Sequence, residues 1–248
     1  SGKDVVDGGE GKDTITIGGT ALVTVTGGAG DDTINVANYL TYGQSIKGGA
    51  GTDILGVTDQ STVTLSTGSV VSEFETLNLT DVTNAETLDL DNFSNNTFTT
   101  IKVGAVSDLT LSSVRDETIC LTAALADNKK LTITKESDSG SSDVVSLKMT
   151  GASSAVDTGN GGAGEFVVIN NVETININSD DANTTNANLQ HILDLKADKA
   201  TTINITGDAG FELASGGSQI YNKVTTFDAS GVVIDKTTDA GVKYTATF

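Results

Sequence analysis

The 248-residue sequence contains no proline or tryptophan and only one cysteine, one histidine and one methionine, and 4% of its residues are aromatic. The lone cysteine, Cys120, excludes an internal disulfide, and its place in the apolar run TICLTAAL predicts a small buried side chain rather than a reactive thiol. No apolar run approaches the ~20 residues of a membrane span. With so few aromatic residues, strand formation falls to Val, Ile, Leu and Thr, which predicts many short strands joined by tight turns.

Positive charge is also scarce, since 14 Lys and Arg stand against 33 Asp and Glu, giving a formal net charge of −19. This excess argues against nucleic acid and anionic membrane surfaces as partners. Hydrophobic residues make up 37% and recur along the whole chain, so the composition is not that of an acidic disordered protein. The charge therefore indicates either simple solubility or an interaction with cations.

Glycine, by contrast, is abundant, and near the start of the chain it recurs in a nine-residue phrase, G-G-x-G-x-D-x-U-x, where U is a large apolar residue. The phrase occurs as GGEGKDTIT (8–16), GGAGDDTIN (27–35) and GGAGTDILG (48–56). Glycine permits a positive φ, so the chain can turn sharply and point its carbonyl groups inward, and the aspartate adds a carboxylate. Carbonyl and carboxylate oxygens are the ligands that Ca²⁺ prefers.

The spacing of the phrases predicts that they stack. A β-roll coil holds two such phrases, so one edge should repeat about every 18 residues. Asp13, Asp32 and Asp53 are then expected to form a row along one edge. Between neighbouring coils, two aspartates and the turn carbonyls would hold each Ca²⁺, which gives about two sites. Counted over side chains and turn carbonyls, the predicted metal-binding residues are Asp4, Gly8, Gly9, Glu10, Gly11, Asp13, Gly27, Gly28, Ala29, Gly30, Asp32, Gly48, Gly49, Ala50, Gly51 and Asp53.

The opposite edge of the predicted roll is poorer in carboxylates. Its phrase GGTALVTVT (18–26) has Val23 at the aspartate position, so only Asp4 keeps a carboxylate there, and we expect this edge to be wholly or partly free of metal. Asp4 belongs to SGKDVVD (1–7), which matches the last seven positions of the phrase. The chain is therefore expected to begin inside a repeat and to be a fragment of a longer protein.

Beyond residue 58 the phrases give way to short alternating runs such as FETLNLT, VVSLKMT and ATTINIT, which predict strands. We therefore predict an all-β chain: an N-terminal parallel β-roll over 1–58 that runs into a parallel β-solenoid, rich in Thr and Asn, over 59–248. A β-sandwich is the alternative for the second part. The predicted core positions in consecutive runs include Leu77, Leu88, Ile101, Leu109 and Leu111.

Two stretches of the second part depart from this pattern. A degenerate phrase, GGAGEFVVI (161–169), predicts a relic coil near 159–170 in which Phe166 takes the aspartate position. The stretch DETICLTAALADN (116–128) contains good helix formers, so a short helix is an alternative to a strand there.

Catalytic patterns are not recognisable in the sequence. It contains neither the H-E-x-x-H motif of zinc proteases nor a G-x-S-x-G nucleophile elbow. The single histidine, His191, is predicted to lie on one face of a strand. Acidic pairs such as Asp89 and Asp91 lack aromatic platforms for a sugar substrate. The chain is therefore predicted to be a scaffold and not an enzyme.

The three nonapeptides resemble those of RTX proteins, which Gram-negative bacteria export by type I secretion and which fold when they meet extracellular calcium. The runs VETININ (172–178), LDLKADKATTINITGDAG (193–210) and VTTFDASGV (224–232) are similar to the central region of RTX-type surface-layer (S-layer) proteins. The likeness covers most of the chain, with the specific motif in the first 58 residues.

This resemblance implies a structural protein, secreted to the cell surface, with Ca²⁺ as its cofactor. Copies would self-associate into a two-dimensional lattice, in which Ca²⁺ rigidifies each subunit and bridges neighbouring subunits. A segment outside this chain would attach the lattice to lipopolysaccharide or the cell surface. Two alternatives stay open: a calcium-rigidified RTX adhesin module, and the RTX region of a type I-secreted enzyme.

Overall fold

The structure, a computed structural model, consists almost wholly of β-strands. It describes residues 3–18, 22–37, 40–57, 68–79, 85–104, 107–125, 128–136, 140–151, 155–158, 166–181, 189–214, 223–233 and 244–246. The strands are β1 (Asp4–Glu10), β2 (Thr14–Ile17), β3 (Val23–Ala29), β4 (Thr33–Val36), β5 (Ser45–Ala50), β6 (Ile54–Val57), β7 (Val71–Ser72), β8 (Thr76–Leu79), β9 (Glu86–Asp89), β10 (Thr100–Val103), β11 (Leu109–Val114), β12 (Thr118–Leu121), β13 (Lys130–Lys135), β14 (Val144–Thr150), β15 (Phe166–Asn170), β16 (Thr174–Asp180), β17 (Gln190–Leu193), β18 (Leu195–Lys196), β19 (Thr202–Gly207), β20 (Gly210–Leu213), β21 (Thr226–Val232) and β22 (Tyr244–Ala246). A short 3-10 helix, Leu90–Phe93, follows β9.

Every described strand pair is parallel. The longest sheet has ten strands in the order β2-β4-β6-β8-β10-β12-β14-β16-β19-β21. The intervening strands form three smaller sheets, β1-β3-β5-β7, β9-β11-β13-β15-β18 and β17-β20-β22. The chain therefore winds as a parallel β-roll that continues into a parallel β-solenoid, which confirms the predicted fold class. The β-sandwich alternative is wrong, because its strands would pair antiparallel.

The long sheet crosses the predicted boundary at residue 58 without a break, since Ile54 pairs with Thr76 and Leu55 pairs with Leu77. Coil length varies along the chain. Stacked positions are 19 residues apart between Asp13 and Asp32 but 28 apart between Asn176 and Asn204. The regular period of the glycine phrases is therefore lost in the later coils, whereas the strand register persists.

The core is a column of aliphatic side chains that stack from coil to coil. In the long sheet this column comprises Ile15, Ile34, Leu55, Leu77, Ile101, Ile119, Leu147, Ile177 and Ile205. Ile15 in the first coil is partly buried, and none of the others is more than 1% exposed. The five predicted core positions, Leu77, Leu88, Ile101, Leu109 and Leu111, are also at most 1% exposed. Each buried Leu or Ile contributes roughly 1.5–3 kcal/mol, so the stacked column is a main source of stability.

The stretch 116–128 contains a strand where a helix was the alternative. β12 pairs with β10 on one side and with β14 on the other, and this register outweighs the helix propensity of the alanines that follow. The helix alternative is therefore wrong. Cys120 in β12 is 6% exposed, as predicted for a small buried residue, and burial raises the pKa of its thiol. Its register partners are Lys102 and Lys148.

The predicted relic coil near 159–170 is described only in part. Residues 159–165, which include most of the degenerate glycine phrase, lie outside the described residues. From Phe166 onward the chain forms β15, which pairs in parallel with β13. The second half of this predicted coil therefore belongs to the same stack as its neighbours.

His191 lies on β17, as predicted, and is fully buried. Its Nδ1 accepts a hydrogen bond from Val156 N–H over 2.8 Å, and its Nε2 lies 3.1 Å from the carbonyl oxygen of Asp180. This pairing requires a neutral ring that donates through Nε2, and burial lowers the pKa of the imidazole accordingly. His191 therefore joins the segment 155–158 to β16 and β17 as a structural residue.

Burial shifts the pKa of a carboxyl group close to His191 in the chain in the opposite direction. Asp194 directly follows β17 and is 4% exposed, and burial raises its pKa from 3.8 to about 6. Because the folded-state pKa lies above the unfolded value, ionised Asp194 destabilises the folded chain above pH 6. This penalty disappears as the pH falls towards 3.8.

We expect Asp194→Asn to raise the free energy of unfolding at pH 8 by on the order of 1 kcal/mol and to have little effect near pH 4. Urea unfolding at the two pH values, followed by circular dichroism, measures this difference. Asp116→Asn is the control, because its side chain is fully exposed. An effect of Asp194→Asn that is the same at both pH values would contradict the assignment.

Candidate metal centre

The three glycine phrases lie one above another along one edge of the roll. The register pairs Gly9 with Gly28, and Gly28 with Gly49. The glycine pairs belong to the ends of β1, β3 and β5, and the chain then turns to enter β2, β4 and β6. The turns are possible because glycines adopt positive φ there, which other residues rarely do. These glycines are Gly9, Gly11, Gly28, Gly30, Gly49 and Gly51.

Asp13, Asp32 and Asp53 are brought together at this edge, and we call them the aspartate row. The backbone N–H of Asp13 donates to Asp32 Oδ1, and that of Asp32 donates to Asp53 Oδ1, each over 2.8 Å. Each of these contacts joins neighbouring coils, because the partners are 19 and 21 residues apart. A backbone N–H of the preceding coil thus fixes one carboxylate oxygen of Asp32 and one of Asp53.

The second oxygen of each carboxylate has no such partner. Asp13 Oδ2, Asp32 Oδ2 and Asp53 Oδ2 are buried and accept no hydrogen bond from the described residues. Asp32 is 1% exposed and Asp53 is fully buried. Burial raises the pKa of the Asp53 carboxyl, and the neighbouring negative charges act in the same direction. An unsatisfied buried polar group costs roughly 1–3 kcal/mol, and more when it is charged, so these oxygens favour a positively charged partner.

Backbone carbonyl oxygens converge on these unpartnered atoms at the first glycine of a phrase. A Cβ on Gly8 would lie 2.8 Å from Asp13 Oδ2 and 2.3 Å from the carbonyl oxygen of Gly27. A Cβ on Gly27 would lie 2.5 Å from both Asp32 Oδ2 and the carbonyl oxygen of Gly48. We call these two oxygen pairs the first and second cradles. Glycine is required at both positions because acceptor oxygens occupy the space of a side chain.

The donor chemistry of the cradles fits Ca²⁺. This ion takes 6–8 oxygen ligands, mainly from carboxylates and carbonyls, at about 2.3–2.6 Å. Both cradles consist of acceptor oxygens from two successive coils. Among the described residues, no three His, Cys, Asp or Glu side chains cluster in a way that could hold a metal ion. Backbone carbonyls would therefore have to complete any ligand set here, which favours a hard cation over zinc.

Some of the predicted carbonyl ligands also hold neighbouring turns together. Gly11 N–H donates to the carbonyl oxygen of Ala29 over 2.7 Å, and Gly30 N–H donates to that of Ala50 over 2.8 Å. Glu10 is the register partner of Ala29, in the turn above it. A carbonyl oxygen has two lone pairs, so these bonds leave one for a cation.

Asp4 is placed apart from the aspartate row. It is exposed at the start of β1, and its register partner is Val23, whose side chain carries no oxygen. Within the part of the chain that the structure describes, no second carboxylate stacks on Asp4 through this pairing. The predicted ligand Asp4 is therefore not brought into a cradle.

Sequence reasoning missed one residue of this edge. The N–H of Asp53 donates to Glu75 Oε2 over 2.8 Å, so Glu75 continues the contact that links the aspartate row. No glycine phrase precedes Glu75. The available signal was its position directly before β8, because each aspartate of the row also directly precedes a strand of the long sheet.

A separate cleft of about 510 Å³ lies beside Arg115 and is bounded by Phe93 and Phe98. The Arg115 guanidinium pairs with Asp91 and, over 2.8 Å, with Glu136. The lining of this cleft therefore combines charged side chains with two aromatic rings. The cleft shares no residue with the aspartate row.

No family model matches the chain, and no curated protein matches it. In the described part of the chain, no helix combines the length and apolar character needed to cross a membrane. What the site can bind is therefore inferred from its own atoms.

Gly28→Ala is expected to destabilise the roll strongly. Gly28 has φ 120°, and an added Cβ would lie 2.0 Å from the carbonyl oxygen of Gly9. Gly9→Ala separates backbone strain from steric clash, because Gly9 has φ 95° but an added Cβ would meet no atom within 4 Å. We expect a loss of about 1–2 kcal/mol for Gly9→Ala and a further ~1–3 kcal/mol for Gly28→Ala.

Gly18→Ala is the matched control, because an added Cβ there meets nothing within 4 Å and its φ is ordinary. Chemical unfolding of the three variants at one fixed calcium concentration gives the comparison. If Gly28→Ala were no less stable than Gly9→Ala, the close stacking of the turns would be refuted.

Proposed function

We propose that this chain is a calcium-stabilised structural module of a self-assembling cell-surface layer, of the RTX S-layer kind that its repeats resemble. The observation that carries the proposal is the aspartate row, whose buried oxygens lack a donor and face the carbonyls of the next coil. Asp13 Oδ2 and Gly27 O would contribute to one Ca²⁺ site, and Asp32 Oδ2 and Gly48 O to the next.

The chain's own charge makes its folding dependent on cations. With a net charge of −19 and carboxylates buried in a row, the chain without cations opposes its own compaction. Bound Ca²⁺ would supply the positive charge that offsets this repulsion and the backbone entropy of the glycine turns. Extracellular calcium modules bind with Kd of about 10⁻⁴–10⁻³ M, and at tenfold excess each independent site adds about 1.4 kcal/mol. Folding would thus be coupled to export into a calcium-rich medium.

The assembly part of the proposal is supported by the outer face of the long sheet. Asn and Thr side chains form hydrogen-bonded ladders there: Asn204 Nδ2 donates to Asn176 Oδ1 over 2.8 Å, and Asn178 Nδ2 donates to Thr206 Oγ1 over 3.1 Å. These two bonds, both between β16 and β19, hold polar groups in place on the outer face of the sheet. This surface suits lateral contacts between copies. Attachment to lipopolysaccharide or the cell surface would use a segment outside this chain.

A ligand-binding adhesin module is the second candidate, and the cleft beside Arg115 and Phe98 is the observation that favours it. An aromatic wall next to charged groups can hold a polar ligand with an apolar face. This candidate shares the calcium-dependent folding but implies a monomer that binds a ligand. Assembly therefore distinguishes the two candidates.

Asp32→Asn tests the calcium dependence of folding. An amide oxygen can still accept the N–H of Asp13, so the substitution removes the charge while keeping this hydrogen bond. We expect the calcium concentration at the folding midpoint, followed by far-UV circular dichroism, to rise about tenfold. Asp116→Asn removes the same charge from an exposed position and should leave the midpoint unchanged. Equal midpoints for both variants would argue against a cation at Asp32.

Calcium titration of the unmodified chain tests assembly. We expect light scattering and electron microscopy to show ordered sheets or discrete oligomers between chelator and about 10 mM calcium, a range that covers weak extracellular sites. These assemblies should dissolve when chelator is restored. Magnesium at equal concentration is the control for charge screening. A folded monomer throughout the titration would instead favour the adhesin module.

A further inference from the structure

We propose that the turn before β8 forms a third divalent-cation site, at which Glu75 and the carbonyl of Glu73 join Asp53. The inference deepens the proposed function, on which it rests, and extends the metal site beyond the glycine phrases. It concerns a turn whose sequence, SEFE (72–75), has no resemblance to those phrases.

The register assigns this turn to the same position as the glycine turns. Lys47 pairs with Ser72 and Ile54 pairs with Thr76, so Glu73 takes the place of Gly48 and Glu75 takes the place of Asp53. The intervening loop is shorter, because only Phe74 lies between the two glutamates. Phe74 is fully buried and therefore fixes the turn against the core.

The oxygen atoms of this turn repeat the geometry of the first two cradles. A Cβ on Gly48 would lie 1.9 Å from the carbonyl oxygen of Glu73 and 2.7 Å from Asp53 Oδ2. Asp53 is fully buried, and its Oδ2 accepts no hydrogen bond from the described residues. This buried, unpartnered oxygen points to a cation, as in the cradles before it. We call this oxygen pair, together with the Glu75 carboxylate, the third cradle.

The two glutamates have different surroundings. The Glu73 side chain is about half exposed and pairs with Lys47 over 2.9 Å, so its charge already has a partner. Glu75 instead accepts the N–H of Asp53 through Oε2, which holds its carboxylate beside the aspartate row. The backbone of Glu73 has φ 66°, a value that is unfavourable for a residue other than glycine.

The coil that follows interrupts the series of sites. Thr99 stacks on Glu75, and both its N–H and its Oγ1 donate to the carbonyl oxygen of Glu75, over 2.8 Å and 3.3 Å. A hydroxyl donor therefore replaces the next carboxylate. Between the coils of Glu75 and Thr99, donors of the protein itself therefore satisfy the carbonyl oxygen of Glu75.

The test compares Glu75→Gln with Glu73→Gln by calorimetric calcium titration. Both variants lose one negative charge, and in Glu75→Gln the amide oxygen of the new side chain can still accept the Asp53 N–H. We expect Glu75→Gln to bind one ion fewer than the unmodified chain, or to bind it at least about tenfold more weakly, and Glu73→Gln to bind the full number. Far-UV circular dichroism at saturating calcium checks that both variants fold.

A readout on the unmodified chain makes the test independent of any folding defect. Crystals soaked in terbium should show an anomalous peak between Asp53 Oδ2 and the carbonyl oxygen of Glu73. Peaks at the first two cradles without one here, or unchanged calcium binding in Glu75→Gln, would overturn the third site alone. A chain that binds no calcium at all would overturn the proposed function together with this inference.

Discussion

The stacking of acceptor oxygens on acceptor oxygens is the constraint on which this structure depends. In a parallel coil, equivalent positions lie about 4.8 Å apart, so a turn that presents a carboxylate and a carbonyl places each beside its own kind. Carboxylate and carbonyl oxygens are both acceptors, so they cannot hydrogen-bond to one another. In the aspartate row, backbone N–H groups satisfy Asp32 Oδ1 and Asp53 Oδ1, but among the described residues no donor reaches the Oδ2 atom of either side chain.

Several later coils meet the same constraint with donors of their own. The hydroxyls of Thr99, Thr201 and Thr225 each donate to the carbonyl oxygen of the residue stacked on them, over 3.3 Å. Arg115 provides a second solution, because its guanidinium pairs with acidic groups of two other coils, Asp91 and Glu136. The three threonines directly precede β10, β19 and β21, the position that the aspartates hold before β2, β4 and β6, so a hydroxyl donor stands there in place of a carboxylate. One later pair keeps the acidic arrangement of the first coils, since Asp143 N–H donates to Glu173 Oε2 over 3.0 Å and Asp143 Oδ2 is buried without a hydrogen-bond donor among the described residues.

The sequence predicted what depends on period and composition. Alternating runs implied strands, and the spacing of the glycine phrases implied that Asp13, Asp32 and Asp53 would stack, because a coil of nearly constant length brings equal positions together. Contacts that depend on a changed loop length do not follow from the spacing of the phrases. Glu75 lies in a shortened turn without glycine, and His191 meets Val156 from 35 residues away. Neither partner can be found by extending a repeat.

The positions of the unpartnered carboxylates and of the hydroxyl donors along the chain also affect how the solenoid can form. In a stack of coils each coil contacts only its neighbours, so structure can propagate from an ordered segment. β8 pairs directly with β6 and continues the ten-stranded sheet. If cations order the first coils, they create a fixed edge of parallel strands, and the later coils can add to it with donors they already carry. A few cation sites in the first coils would then favour the folding of a much longer sheet, because several later coils carry hydroxyl donors of their own.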